Sequence, residues 1–248
     1  MNDNINFRNV YGDLARAESY AKLEFPNTYY LAYRDLPVII NKHVSGQMAV
    51  DFGCGTGRST RFLKSLGFEV TGIDISEDML GIARKLDPGG KYIRVSDGKY
   101  ESFGTARFDL VLSVFTFDNI PGWENRTKIL SGLGSLLKPS GIMICLDSTP
   151  ELYVNEWASF STKDFPGNRH AKTGDIVKDI MLDVEDQRPV EDIFWTIDDY
   201  QKLFRDAGLI LESTYKPLGR AEEPYGWKSE LQIAPWIIFV LSGMTKPY

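Results

Sequence analysis

The run Val50-Asp51-Phe52-Gly53-Cys54-Gly55-Thr56-Gly57-Arg58-Ser59 is an apolar strand that ends in three alternating glycines and passes into a helix. Such a turn lets the backbone approach a ligand closely, and the helix start offers unpaired N–H groups. The spacing is G-x-G-x-G, not the G-x-G-x-x-G of dinucleotide folds, and Asp51 stands two residues before the first glycine. A carboxylate there suits a ligand amine and repels a pyrophosphate. Asp74 follows 17 positions after Gly57, at the end of a second apolar run, where a carboxylate accepts both hydroxyls of a ribose. Asp97, followed by Gly98, ends a third run and suits an exocyclic adenine amine. Three acids on successive strand ends describe a ligand with an amine, a ribose and an adenine.

The elements that must hold these residues are legible from residue 48 onward. Candidate strands are Met48 to Phe52, Glu69 to Asp74, Lys91 to Val95, Phe108 to Val114 and Ile142 to Leu146. Helical periodicity covers Arg58 to Leu66, Glu77 to Leu86 and Glu124 to Leu137, and Lys138-Pro139-Ser140-Gly141 stops the last of these. Strands alternating with helices predict a doubly wound α/β fold with a parallel sheet. A helix from about Ile197 to Ala207 then leads into two apolar runs, Leu209 to Tyr215 and Ile233 to Leu241, with no crossover helix between them. The final strand is therefore expected to be antiparallel, closing a seven-stranded sheet. Residues 1–45 read as a helical, tyrosine-rich lid, 46–147 as the ligand-binding half, 148–194 as an irregular insertion over the site and 195–248 as the terminal helix and hairpin, all within one domain.

The 248 residues carry a net charge of −6 with scattered lysines and arginines, which leaves no electrostatic track for nucleic acid. No apolar run reaches the length of a membrane span, so a cytoplasmic protein is expected. Cys54 and Cys145 are the only cysteines, and His43 and His170 the only histidines. That scarcity offers no metal site and points to chemistry carried by a cofactor.

With these motifs in order, the chain resembles the class I S-adenosylmethionine-dependent methyltransferases from about Val50 to Leu241. The glycine run is similar to that family's first motif, Asp74 to its ribose-binding acid with Ile75 beside the adenine, and Asp97-Gly98 to its adenine-edge position. Phe108-Asp109-Leu110-Val111-Leu112-Ser113 resembles the fourth strand, bringing Ser113 to the rim, and the antiparallel ending fits the family. The resemblance implies S-adenosylmethionine as cofactor, S-adenosylhomocysteine as product and a small-molecule methyl acceptor. It further implies that the segment after the fourth strand, which includes Phe115 and Asp118, faces the methyl group. Many relatives have a histidine pair where this chain has Asp118-Asn119.

Tyr11 and Tyr20 resemble the N-terminal lid of small-molecule methyltransferases, with an early tyrosine near the sulfonium. Tyr33 and Arg34 occupy a place where relatives often put a basic or hydroxyl group for the methionine carboxylate. Within the insertion, Trp157, Phe160, Phe165 and His170 supply aromatic area and a titrating group, which suits an aromatic or heterocyclic acceptor. The insertion and C-terminal half bear a faint likeness to toxoflavin-type azapteridine N-methyltransferases. Candidate catalytic residues are thus Tyr11, Asp118 and His170. Transfer to a nitrogen, oxygen or sulfur remains open, as do a protein or peptide acceptor, a cofactor-binding module without turnover and a dinucleotide-binding dehydrogenase. Plugging of the acceptor cavity by Phe115, Phe117 or Trp157 would favour the module.

Overall fold

The computed structural model describes residues 14–95 and 100–243. Three short helices come first: α1 (Leu14–Ala21), α2 (Asn27–Arg34) and α3 (Leu36–His43). Strands β1 (Met48–Phe52), β2 (Glu69–Asp74), β3 (Lys91–Arg94), β4 (Phe108–Val114) and β5 (Leu137–Ser148) then alternate with α4 (Arg58–Ser65), α5 (Glu77–Leu86) and α6 (Trp123–Leu136). The chain continues through β6 (Phe160–Ser161), β7 (Ile176–Met181), β8 (Val190–Ile193), α7 (Ile197–Asp206), β9 (Leu209–Tyr215) and β10 (Trp236–Gly243).

The main sheet has seven strands in the order β3-β2-β1-β4-β5-β10-β9. The first five are mutually parallel, and β10 enters antiparallel between β5 and β9. This is the doubly wound, Rossmann-like sheet with an antiparallel last strand that the sequence predicts. Because the order reverses at β1 and β4, a crevice opens beyond their carboxyl ends. Every residue of β4 is buried, as expected of a strand covered on both faces. Period-two alternation divides the core: Leu110, Leu112, Ile144, Leu146 and Ile238 pack under the N-terminal helices and the insertion, while Val111, Met143, Cys145, Ile237 and Phe239 pack under α6 and α7.

Local chemistry sets the boundaries. The Ser76 hydroxyl accepts the Met79 N–H at the start of α5, and Thr196 forms a reciprocal capping box with Asp199 at α7. The last strand starts at Trp236, later than the predicted Ile233, because Pro235 has no N–H for the ladder. The larger difference lies in the insertion. Read from sequence as irregular, it contains a second, three-stranded antiparallel sheet, β6-β7-β8. Hydrogen bonds from Asn119 to Asp192 and between Thr28 and Ser159 tie this sheet over the carboxyl end of β4 and against α2.

Candidate active site

The glycine turn adopts the conformation that its composition requires. Gly53 and Gly55 have φ of +68° and +52°, and a Cβ at Gly53 would stand 2.3 Å from the Thr116 side chain. The Gly53 and Cys54 N–H groups donate to the Ile73 carbonyl, which pins the turn to β2. Beyond it lies a cleft with about 900 Å³ of empty space, open mouth included, lined in part by Gly53, Gly55, Asp74, Ile75, Met79 and Phe115.

Asp74 stands at the end of β2 and faces this cleft. Its Oδ2 accepts the Gly55 N–H at 2.8 Å and its Oδ1 accepts the Ser76 N–H at 2.8 Å, so one carboxylate fixes both the glycine loop and the start of α5. Burial raises its pKa above the usual carboxylate value. Ile75, 47% exposed, offers an apolar edge beside it. Ser113 is buried behind the cleft, its hydroxyl without a hydrogen-bond partner. Asp97, Gly98 and Tyr11 lie outside the described residues.

Asp51 stands behind the loop, fully buried, and accepts Ser59 Oγ at 2.7 Å and Thr60 Oγ1 at 2.6 Å through Oδ2. Its Oδ1 has no hydrogen-bond partner. Burial pushes its pKa up to about 7, opposed by the two hydroxyls and assisted by Asp74. The folded protein therefore keeps this proton between the ordinary carboxylate range and pH 7, where the unfolded chain has lost it. Stability must fall as pH rises through that window and level off above it. Asp51→Asn keeps an acceptor for the hydroxyls and removes the titration. Urea unfolding across pH 4 to 8 is expected to show the variant gaining on the wild type as pH rises, by at most ~4 kcal/mol at the alkaline end. A difference independent of pH would assign the proton elsewhere.

Arg58, the first residue of α4, was not singled out from the sequence. It is 6% exposed and is the one cation among the described residues that line the cleft. Its guanidinium lies 5.1, 4.9 and 5.6 Å from the ring centroids of Tyr20, Tyr29 and Tyr33. Nη1 donates to the Glu24 carbonyl and Nη2 to the Tyr20 hydroxyl. One buried charge thus joins α1 and α2 to the glycine loop. Tyr20 and Tyr33 both line the cleft, and burial raises the Tyr33 pKa. Arg34 instead pairs with Asp35 and Glu223, which ties α2 to the segment before β10.

A second, smaller cavity with about 380 Å³ of empty space, open mouth included, adjoins the first, and Tyr20, Phe115 and Asn119 line both. Phe115 holds a left-handed φ of +56°, which no β-carbon-bearing residue adopts readily, and its ring stands between the two spaces. The ring packs 4.6 Å from Trp236 and 5.8 Å from Tyr29. Asp118 forms part of the wall, but both its oxygens are engaged: Oδ1 accepts Tyr200 OH, and Oδ2 accepts the Ser148 N–H and hydroxyl. His170 does not join them. The turn Pro166–His170 is held from inside by Asn168, which bonds Tyr153 and Lys178, so the exposed His170 faces an outer recess and not the cleft. The expectation for His170 is corrected accordingly.

Residues 50–145 match the model of the methyltransferase domain. Over 113 residues the chain is 37% identical to a demethylmenaquinone methyltransferase of Tropheryma whipplei, covering 44% of this chain and 46% of that one. It is also 31% identical over 123 residues to a ubiquinone biosynthesis O-methyltransferase of Nitrosococcus oceani, covering 46% and 51%. The chain spans about half the length of these curated relatives. Among solved structures, the CcbJ methyltransferase of Streptomyces caelestis has a TM-score of 0.67 at 18% identity, covering 95% of this chain and 98% of that one. An S-adenosylmethionine-dependent methyltransferase of Clostridium acetobutylicum has a TM-score of 0.62 at 14% identity, covering 95% and 99%. Residues 50–145 thus carry a methyltransferase domain, and the chain has the fold of S-adenosylmethionine-dependent methyltransferases. The cofactor of this class is S-adenosylmethionine, and the cleft has the donor set for it: a strand-end acid, an apolar edge, a glycine cradle and one buried cation. Among the described residues no helix is long and apolar enough to cross a membrane.

Proposed function

We propose that the protein transfers the methyl group of S-adenosylmethionine to a nitrogen, oxygen or sulfur of a small molecule seated beneath the N-terminal helices and the insertion. The observation that carries this reading is the pair of adjoining cavities meeting at Tyr20, Phe115 and Asn119. In the first, Asp74 would take the ribose hydroxyls, Ile75 and Met79 the adenine face, and Arg58 the methionine carboxylate. When bound, the cofactor supplies an already activated methyl group, so the protein's task is alignment and exclusion of water.

The second cavity fits the acceptor. It is small and aromatic-walled, which favours a small molecule over an extended peptide. Phe117 and Trp157 pack within the two cores, and Phe115 borders the cavity without filling it, which favours turnover over a plugged binding module. The similar protein of Tropheryma whipplei is a demethylmenaquinone methyltransferase, which supports a small-molecule acceptor here.

Two measurements test the reading together. Calorimetric titration should give saturable binding of S-adenosylmethionine and S-adenosylhomocysteine. Incubation with methyl-labelled cofactor and a cell extract should place the label in material that passes an ultrafilter. Label retained on protein would replace the small-molecule acceptor with a protein one, and absence of cofactor binding by the folded chain would end the reading.

A further inference from the structure

Strand β4 keeps a period of two until it ends. Leu110, Leu112 and Val114 pack in the layer under the N-terminal helices and the insertion, while Val111 belongs to the layer under α6 and α7. Phe115 comes next, and by alternation its ring belongs with Val111. It packs instead in the first layer, on the face that Val114 already uses. The left-handed backbone at Phe115, φ +56°, breaks the pleat at this residue and accounts for the reversal.

The chain on both sides of Phe115 is fixed by hydrogen bonds. The Phe115 N–H donates to the Leu146 carbonyl at 2.8 Å, and Asn119 Nδ2 donates to the Phe115 carbonyl at 3.4 Å. The Thr116 hydroxyl is shared between the Phe52 and Val114 carbonyls at 3.2 and 3.3 Å, and the Thr116 side chain fills the space that a Cβ at Gly53 would need. A bulky residue at positive φ is strained, and such strain persists only where the surroundings impose it, commonly at a ligand site. Here the strain delivers position. The ring borders both cavities, with its centroid 4.6 Å from that of Trp236 and 5.8 Å from that of Tyr29.

Resting on the methyl-transfer reading above, we infer that Phe115 is a specificity-determining residue of the reaction: its ring is a partition that limits the group bridging the two cavities to the size of a methyl. Two spaces that meet at one ring communicate along its edge. A methyl on the cofactor sulfur fits such a passage, whereas a larger substituent on the same sulfur must push the ring aside. The hydrogen bonds on either side and the packing against Trp236 resist that movement. Phe115 therefore acts by exclusion and takes neither proton nor electron pair. The same edge faces the acceptor, so the reacting atom must be carried on a slim end of the molecule.

The test uses the full chain, its Phe115→Ala and Phe115→Gly variants, and two ligands: S-adenosylmethionine and the analogue that carries benzyl in place of methyl on sulfur. Calorimetric titration of the wild type is expected to show the analogue bound roughly thirtyfold or more weakly than S-adenosylmethionine. In each variant that ratio should fall to about threefold or less, because the space left by the deleted ring takes the benzyl group. Thermal unfolding verifies each fold and tests the strained backbone separately. Glycine adopts φ +56° at no steric cost, so Phe115→Gly should melt ~2–4 °C above Phe115→Ala, the reverse of their usual order. A ratio near one in the wild type, an unchanged ratio in the folded variants, or loss of S-adenosylmethionine binding by both variants would each overturn the partition. An alanine variant as stable as the glycine one would overturn its strained placement. Failure of the wild type to bind S-adenosylmethionine would instead overturn the cofactor reading, so the two failures are separable.

Discussion

Replacing Arg58 with methionine is expected to cost about two orders of magnitude in affinity for S-adenosylmethionine and S-adenosylhomocysteine, and to detach the N-terminal helices from the glycine loop. Methionine fills a similar volume, so the change isolates the charge. The lost guanidinium serves two elements at once. Toward the cleft it is the one cation lining it among the described residues, and removing a charged partner from a buried carboxylate contact costs roughly 1.5–3 kcal/mol, about 10- to 150-fold in affinity. Toward the lid it faces three tyrosine rings and donates to the Glu24 carbonyl and the Tyr20 hydroxyl. Each cation–π contact contributes ~0.5–2 kcal/mol when desolvated. Hydrogen exchange should then show faster opening over 18–34 in the variant, with β1, β4 and β5 as protected as before. Unaltered exchange over 18–34 with weakened cofactor binding would confine Arg58 to ligand binding, and unaltered affinity would remove it from the site.

The second large effect is expected at Asp74. Alanine there removes the strand-end carboxylate proposed to hold the ribose, and leaves the Gly55 and Ser76 N–H groups without the oxygens that take them. Two charge-assisted hydrogen bonds within the protein and two proposed to the ligand are lost together, so affinity should drop at least a hundredfold. Asp74→Asn retains one oxygen and should sit between alanine and wild type. Calorimetry on the three proteins checks the ranking. Asparagine equal to wild type would mean that neither charge nor the second oxygen is used.

These two residues show how differently a site can be written in a sequence. Asp74 is legible because its place follows from local rules: a β-rich run, a strand end and a helix-capping serine two residues on. Arg58 obeys no local rule. An arginine opening a helix reads as exposed, since the positive end of the helix dipole disfavours it. Its burial depends on tyrosines 25 to 38 positions earlier, brought over by α1 and α2. Asp179 and Asp192, which line the second cavity, were hidden for a related reason. They sit in strands of six and four residues inside a stretch broken by Pro166, Gly167 and Gly174, so neither periodicity nor composition marks a sheet there. The alternation of β1 to β4, by contrast, carries its own punctuation and was recovered to within a residue, whereas β5 runs from Leu137 to Ser148, beyond both ends of the predicted Ile142 to Leu146. His170 misled because a lone histidine near aromatics is a sound chemical cue that says nothing of which way a 3-10 turn faces.

The position of β10 bears on how the molecule comes into being at the ribosome. Strands β1 to β5 and their helices are available once residue 148 has emerged, and they hold every described residue that contacts the cleft except those of the lid. The outer edge of β5, which runs apolar from Ile142 to Leu146, has no partner until β10 follows nearly 90 residues later. During that interval it is an open template for another chain. Trp236, the first residue of β10, walls the second cavity and donates through Nε1 to the Thr28 carbonyl in α2. A nascent chain therefore acquires the framework of the cleft early and the back wall of the second cavity last, in the same event that seals the open edge of β5.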